Sequence, residues 1–168
     1  MDPFDTVASD EELWSVLSDV QLKGVIAGHD ARLDLTVHEG GKNFSVGQRQ
    51  LICLARALIR KSKILVMDEA TANVDPGTDE IIHRVVREKF AESTVLTIAH
   101  RLHTVIDCDK ILVLQQGVAE AYDEPHALLC DPHSLLSSLV DQTGAQAGAA
   151  LRDAARAAHL KRVKKKKA

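Results

Sequence analysis

Ile64-Leu65-Val66-Met67-Asp68-Glu69 sets four apolar residues directly before two carboxylates. An apolar run of this length fits a buried strand. A buried parallel strand delivers its last side chains to the carboxyl edge of the sheet, where ligands bind. Asp68 and Glu69 are therefore candidate site residues. In a nucleotide site the first carboxylate can hold Mg²⁺, directly or through water, and the second can orient and deprotonate an attacking water. Acidic residues also end strands simply because the loop beyond is wet, so the weight of this reading rests on the neighbours.

Two further runs, Thr94-Val95-Leu96-Thr97-Ile98 and Ile111-Leu112-Val113-Leu114, also read as buried strands. Between the first two lies 76–90, where Asp75 can cap a helix and Pro76 can take its first position. The order strand, helix, strand favours a parallel sheet, so the class is α/β. Gln115-Gln116-Gly117 reads as a turn before an edge strand over 118–122, and Pro125 and Pro132 punctuate short helices. The Ala-rich segment beyond Gly144 reads as a further helix, and no internal repeat or second domain is visible.

Upstream, Ser9-Asp10-Glu11-Glu12 has the form of a capping box and opens a helix over residues from about 10 to about 19. Gly40 and Gly41 mark a loop over 38–43, because paired glycines adopt conformations that other residues avoid. A second helix starts near Ser45, with Leu51, Ile52, Leu54, Ala55, Leu58 and Ile59 in one broad apolar stripe. Arg49, Arg56 and Arg60 fall near one another on another face. In Phe44-Ser45-Val46-Gly47-Gln48 a hydroxyl and a glycine stand where a helix begins, and there free backbone N–H groups and the positive dipole end favour an anion such as a phosphate.

Composition excludes several classes of function. Aromatic residues make up 3% of the 168-residue chain, which leaves no platform for stacking nucleic-acid bases. The formal charge of −3 conceals an asymmetry: residues 152–167 hold eight of the 21 Lys and Arg, while residues 1–150 carry 13 basic and 23 acidic side chains. An acidic body with a basic end fits a solvated tail and does not suit a nucleic-acid grip. Cys53, Cys108 and Cys130 are odd in number and widely spaced, two of them in apolar surroundings, which reads as free thiols in a reducing compartment. The start is acidic and lacks the apolar run of a signal peptide, and no stretch reaches the roughly 18 apolar residues that cross a bilayer. His100, His103 and Cys108 match no familiar zinc spacing, and Trp14 reads as a packing residue on the first helix.

Taken in order, Ser45-Val46-Gly47-Gln48, Leu65-Val66-Met67-Asp68-Glu69, Ala72-Asn73-Val74-Asp75 and His100 resemble the signature, Walker B, D-loop and switch-histidine motifs of ATP-binding-cassette (ABC) ATPases. Val46 in place of the usual glycine, the Glu39-Gly40-Gly41 lead-in and Asp2-Pro3-Phe4 resemble the second nucleotide-binding domain of subfamily C. That subfamily includes multidrug-resistance-associated exporters of organic anions and conjugates. The resemblance covers about residues 2–142 and implies a partial P-loop NTPase fold, with a RecA-like parallel sheet and part of the ABC α-helical subdomain. It divides the chain into 1–60, the helical subdomain with the signature; 61–142, the ATPase core with Walker B, D-loop and switch histidine; and 143–168, an Ala-rich then Lys-rich tail.

The resemblance also implies roles. Ser45, Val46, Gly47 and Gln48 would meet the γ-phosphate of an ATP held by an opposite cassette, and Asp68 would support Mg²⁺. Glu69 would be the general base, His100 would clamp the γ-phosphate, and Asp75 would lie at the interface between cassettes. ATP and Mg²⁺ are the cofactors so implied, and the partners are another nucleotide-binding domain and the transmembrane domains of an exporter. The implied location is the cytoplasmic face of a membrane, reached through those domains.

No Gly-x-x-x-x-Gly-Lys-Ser/Thr loop occurs in the sequence, and none of its nine glycines opens one. The chain therefore reads as the C-terminal part of a cassette that couples ATP hydrolysis to export, inactive alone. The alternative is a non-catalytic truncated cassette that binds or regulates another. A chromosome-maintenance or repair ATPase would share the motif logic, but it would want a long coiled-coil insertion that the sequence lacks. The apolar faces of strands 64–67 and 94–98 should be partly uncovered.

Overall fold

The computed structural model describes residues 9–68, 74–99 and 101–167, without the side chains of Lys166 and Lys167. Two compact units are resolved, 1–98 and 99–168.

In the first unit, α1 (Asp10–Asp19) begins at the anticipated capping box: Ser9 Oγ accepts from Glu12 N–H, and Glu12 accepts from Ser9 N–H. A short α2 (Lys23–Ala27) and a 3₁₀ turn over 32–34 lead into the glycine loop, where Gly40 and Gly41 take φ of 68° and 66°. Next come α3 (Val46–Ile59), β1 (Ile64–Asp68), α4 (Pro76–Lys89) and β2 (Thr94–Ile98). Asp75 caps α4 and Pro76 opens it, as the sequence suggests. β1 and β2 pair in parallel, in register from Ile64 opposite Thr94 to Asp68 opposite Ile98. The core joins α1, α3 and α4 through Leu17, Val20, Leu51, Leu54, Ala55, Ile82 and Val85, with Trp14 partly buried against it.

The sheet corrects one expectation. Leu65 and Val95 pack against this core and Met67 is buried, but Ile64, Val66, Leu96 and Ile98 on the other face are 55–62% exposed. The strands are thus covered on one face only, because side chains alternate across a strand and helices lie on just one side. The partly uncovered apolar faces expected for strands 64–67 and 94–98 are thus present. Parallel sheets are found almost exclusively with both faces covered.

The second unit holds β3 (Ile111–Gln115) and β4 (Val118–Asp123), an antiparallel hairpin turned by Gln116 and Gly117 at φ of 51° and 80°. The third apolar run therefore pairs only with its own hairpin partner among the described residues, and Leu112 and Leu114 are exposed rather than buried. α5 (Pro125–Cys130), α6 (Leu135–Asp141) and α7 (Ala145–Lys167) complete the unit around Ile106, Val113, Leu129, Leu136, Val140 and Ala155.

The basic end is only partly a solvated tail. Lys161, Lys164 and Lys165 are exposed, but Arg152 donates to Leu129 C=O and to the Asp141 carboxylate. Arg162 donates to Glu124, to Asp109 and to the carbonyls of Asp107 and Cys108. His159 Nδ1 meets the other Glu124 oxygen at 2.8 Å. Burial alone would raise the Glu124 carboxyl, yet the His159 and Arg162 hydrogen bonds outweigh it and hold the group below its usual range.

Two outcomes follow from this packing. The exposed apolar face should make the chain self-associate, and Val66→Lys, which places a charge at the centre of that face, should shift its sedimentation toward monomer. Arg162→Ala should cost about 2 kcal/mol or more through lost charge-assisted hydrogen bonds, read as faster amide hydrogen exchange along α7; unchanged exchange there would contradict the role given to Arg162.

Candidate functional site

The sequence-derived residues that can be placed lie on three segments of the first unit. Glu69, His100 and the Ala72-Asn73 part of the third motif lie outside the described residues.

Ser45, extended in backbone after a turn over 42–43, is the cap of α3. Its Oγ accepts from Gln48 N–H at 3.1 Å, and Gln48 Oε1 accepts from Ser45 N–H at 2.9 Å. This reciprocal pair fixes both polar side chains of the motif. The hydroxyl uses a lone pair for the cap and keeps its own hydrogen to donate outward, while the N–H groups of Val46 and Gly47 belong to the first turn, which has no partners within the helix. With the positive end of the dipole, that turn suits an oxyanion. Val46 is exposed and Gly47 is buried.

The sequence places Arg49 only among a cluster of arginines. Its guanidinium donates to Phe44 C=O at 3.0 Å and to Gly41 C=O at 3.4 Å, clasping the glycine loop to the first turn of α3. A Cβ on Gly41 would come within 2.8 Å of Arg49 Cδ, so this position needs glycine both for its φ and for space. The signal in the sequence was the pair of glycines eight residues upstream of an arginine, which says nothing of direction until the loop is folded.

Asp68 is the last residue of β1 and lies opposite Ile98. It is exposed, and by the twofold alternation it shares the open sheet face with Ile64 and Val66. A carboxylate that is solvent-accessible at the carboxyl edge fits the oxygen-donor chemistry of Mg²⁺. Asp75 caps α4: Oδ1 accepts from Thr78 N–H at 3.0 Å, and Oδ2 accepts from the Thr78 hydroxyl at 2.7 Å. The hydroxyl bond first, and the N–H bond second, hold the Asp75 carboxyl below the ordinary carboxylate range.

The cysteines are free thiols, Cys53 and Cys130 exposed rather than packed in apolar surroundings. Burial pushes the Cys108 thiol up to about 11, away from the thiolate that metal binding requires. No described helix is long and apolar enough to cross a membrane.

The family model described as ABC transporter matches residues 2–72. ATP-binding cassette sub-family C member 4 from Homo sapiens is 54% identical over 162 residues, covering 96% of this chain and 12% of that protein. ABC transporter C family member 3 from Dictyostelium discoideum is 53% identical over 157 residues, or 94% of this chain and 11% of the relative. A Drosophila melanogaster protein named as a probable multidrug resistance-associated protein is 52% identical over 145 residues, or 86% of this chain and 10% of the relative. The chain thus spans about an eighth of the length of these relatives or less.

Removing the Thr78 hydroxyl tests the electrostatics of the cap. Thr78→Val should raise the Asp75 titration toward the ordinary carboxylate value, and Thr78→Ser should leave it low, as followed by carboxyl-carbon NMR. Because the folded-state value is depressed, the stabilisation from this cap is present above the unfolded value near 4 and is lost as pH falls through the folded one.

Proposed function

Because the chain belongs to the ABC transporter family, in its C subfamily, we propose that it is the part of a nucleotide-binding domain that presents the signature helix to a second cassette. In a whole exporter it would take part in coupling ATP hydrolysis to the export of organic anions or drug-like molecules. The observation that carries this reading is the capped N-terminus of α3, where Ser45 and Gln48 lock each other and leave the Ser45 hydroxyl hydrogen outside the cap bond.

Mg²⁺ bound with ATP neutralises phosphate charge and polarises the reacting phosphoryl group. Asp68, at the open carboxyl edge of β1, would hold the ion. Glu69 would accept the proton of the attacking water, and His100 would steady the same phosphate. Ser45, Val46, Gly47 and Gln48 would donate to the γ-phosphate of an ATP held by the partner cassette, and Asp75 would lie at the interface. Asp68, Glu69 and His100 thus serve one ATP, and the start of α3 serves another. The open face of β1 and β2 supports a further layer, drawn from the remainder of the cassette and lying against Ile64, Val66, Leu96 and Ile98.

A phosphate loop would supply a lysine and a cradle of N–H groups, each charge-assisted bond worth roughly 1.5–3 kcal/mol. The 168 residues contain no such loop, which favours, as a second reading, a non-catalytic module that binds another cassette. Equilibrium dialysis of the chain with Mg-ATP should give negligible binding, and micromolar affinity would refute this account. Added to an intact cassette of the subfamily, the chain should stimulate hydrolysis, and Ser45→Arg should abolish the stimulation. Inhibition by the wild-type chain would instead support the second reading, a module that blocks cassette pairing.

A further inference from the structure

Gly47 lies inside α3 at an ordinary helical φ, so the backbone does not demand glycine there. Its surroundings do. A Cβ at Gly47 would fall 2.9 Å from Thr78 Oγ1, which is too close, and 3.0 Å from Cγ2 and 3.3 Å from Cβ, which are tight. Thr78 cannot swing aside, because its hydroxyl and its N–H both bond the Asp75 carboxylate and its β-branch stiffens χ1. One side chain therefore touches two segments. Its methyl and hydroxyl fill the space a side chain at Gly47 would take, one residue from Val46 and two from Ser45, while the same hydroxyl holds Asp75 at the start of α4.

We propose that Thr78 is a positioning residue, which sets the spacing between the anion-binding turn of α3 and the Asp75 carboxylate so that the two move as one. Gly47 is the reciprocal half of the device: its missing side chain is the slot into which Thr78 fits. The functional part of this inference rests on the reading of α3 and Asp75 as interface elements given above; the contact itself does not.

Its test has two arms on the 168-residue chain. In thermal unfolding, Gly47→Ala should lower the midpoint by roughly 5 °C through overpacking, while the double variant with Thr78→Ala should recover most of the loss. Strictly additive losses, or a double variant that stays unfolded when Thr78→Ala folds, would overturn the contact. In the second arm, wild type, Thr78→Val and Thr78→Ser are added to an intact cassette. Thr78→Val conserves shape and removes the hydroxyl; it should reduce the stimulated kcat about fivefold with KM for ATP unchanged, and Thr78→Ser should restore it. Stimulation by Thr78→Val equal to wild type would overturn the positioning role. If the wild-type chain itself gives no stimulation, the reading of the interface fails, and the thermal cycle alone decides whether Thr78 and Gly47 form a coupled pair.

Discussion

The parallel pairing of β1 with β2 is the constraint on which the first unit depends. Parallel neighbours cannot be joined by a hairpin, so the chain must travel back along the sheet before β2 begins. α4 makes that return journey, and it must therefore start soon after β1 ends. Asp75 and Pro76 supply a cap and a first position suited to such a start. The same pairing directs Asp68 to the carboxyl edge and, through the alternation of side chains, divides β1 into a face that packs on helices and a face that meets solvent.

Around the start of α3 three separate devices act on a few residues. The reciprocal Ser45 and Gln48 bonds fix the cap, Arg49 ties the preceding loop through the Gly41 and Phe44 carbonyls, and Thr78 closes on Gly47 from α4. Donors held in place before a charged ligand arrives need no reorganisation when it binds, which is where much of the electrostatic advantage of such a site arises. The Ser45 hydroxyl shows how this works, since accepting the cap bond leaves its hydrogen available to donate.

The second unit solves a different problem, the attachment of a long helix whose apolar residues are mostly small alanines. Ala155 enters the core and Leu151 packs against it, and Arg152 and Arg162 add to the hold by reaching acceptors on other elements. Glu124 receives both His159 and Arg162 and stays ionised more readily than burial alone would allow. Asp109, 93% exposed, is the weak partner of the set, and the carbonyls of Asp107 and Cys108 give the guanidinium its more sheltered contacts.

Local chemistry made much of this legible in the sequence. Ser9 with Glu12, Ser45 with Gln48, and Asp75 before Pro76 are contacts within four residues, and their geometry follows from helix capping alone. The strand, helix and strand order likewise specified the parallel pair, and the motif order identified the family. Thr78 against Gly47 and Arg162 against Glu124 could not be read in that way, because their partners are 31 and 38 residues apart and nothing local records the approach. That the apolar faces of β1 and β2 are partly uncovered is an expectation the structure bears out, but which face stays open is a tertiary outcome, because cover depends on which elements the chain brings to each side. Local sequence thus set the elements, their caps and the residue types at Ser45, Gly47, Asp68 and Asp75. The spacing between those residues was decided only by packing, since the distance between two helices is set by the side chains that meet between them.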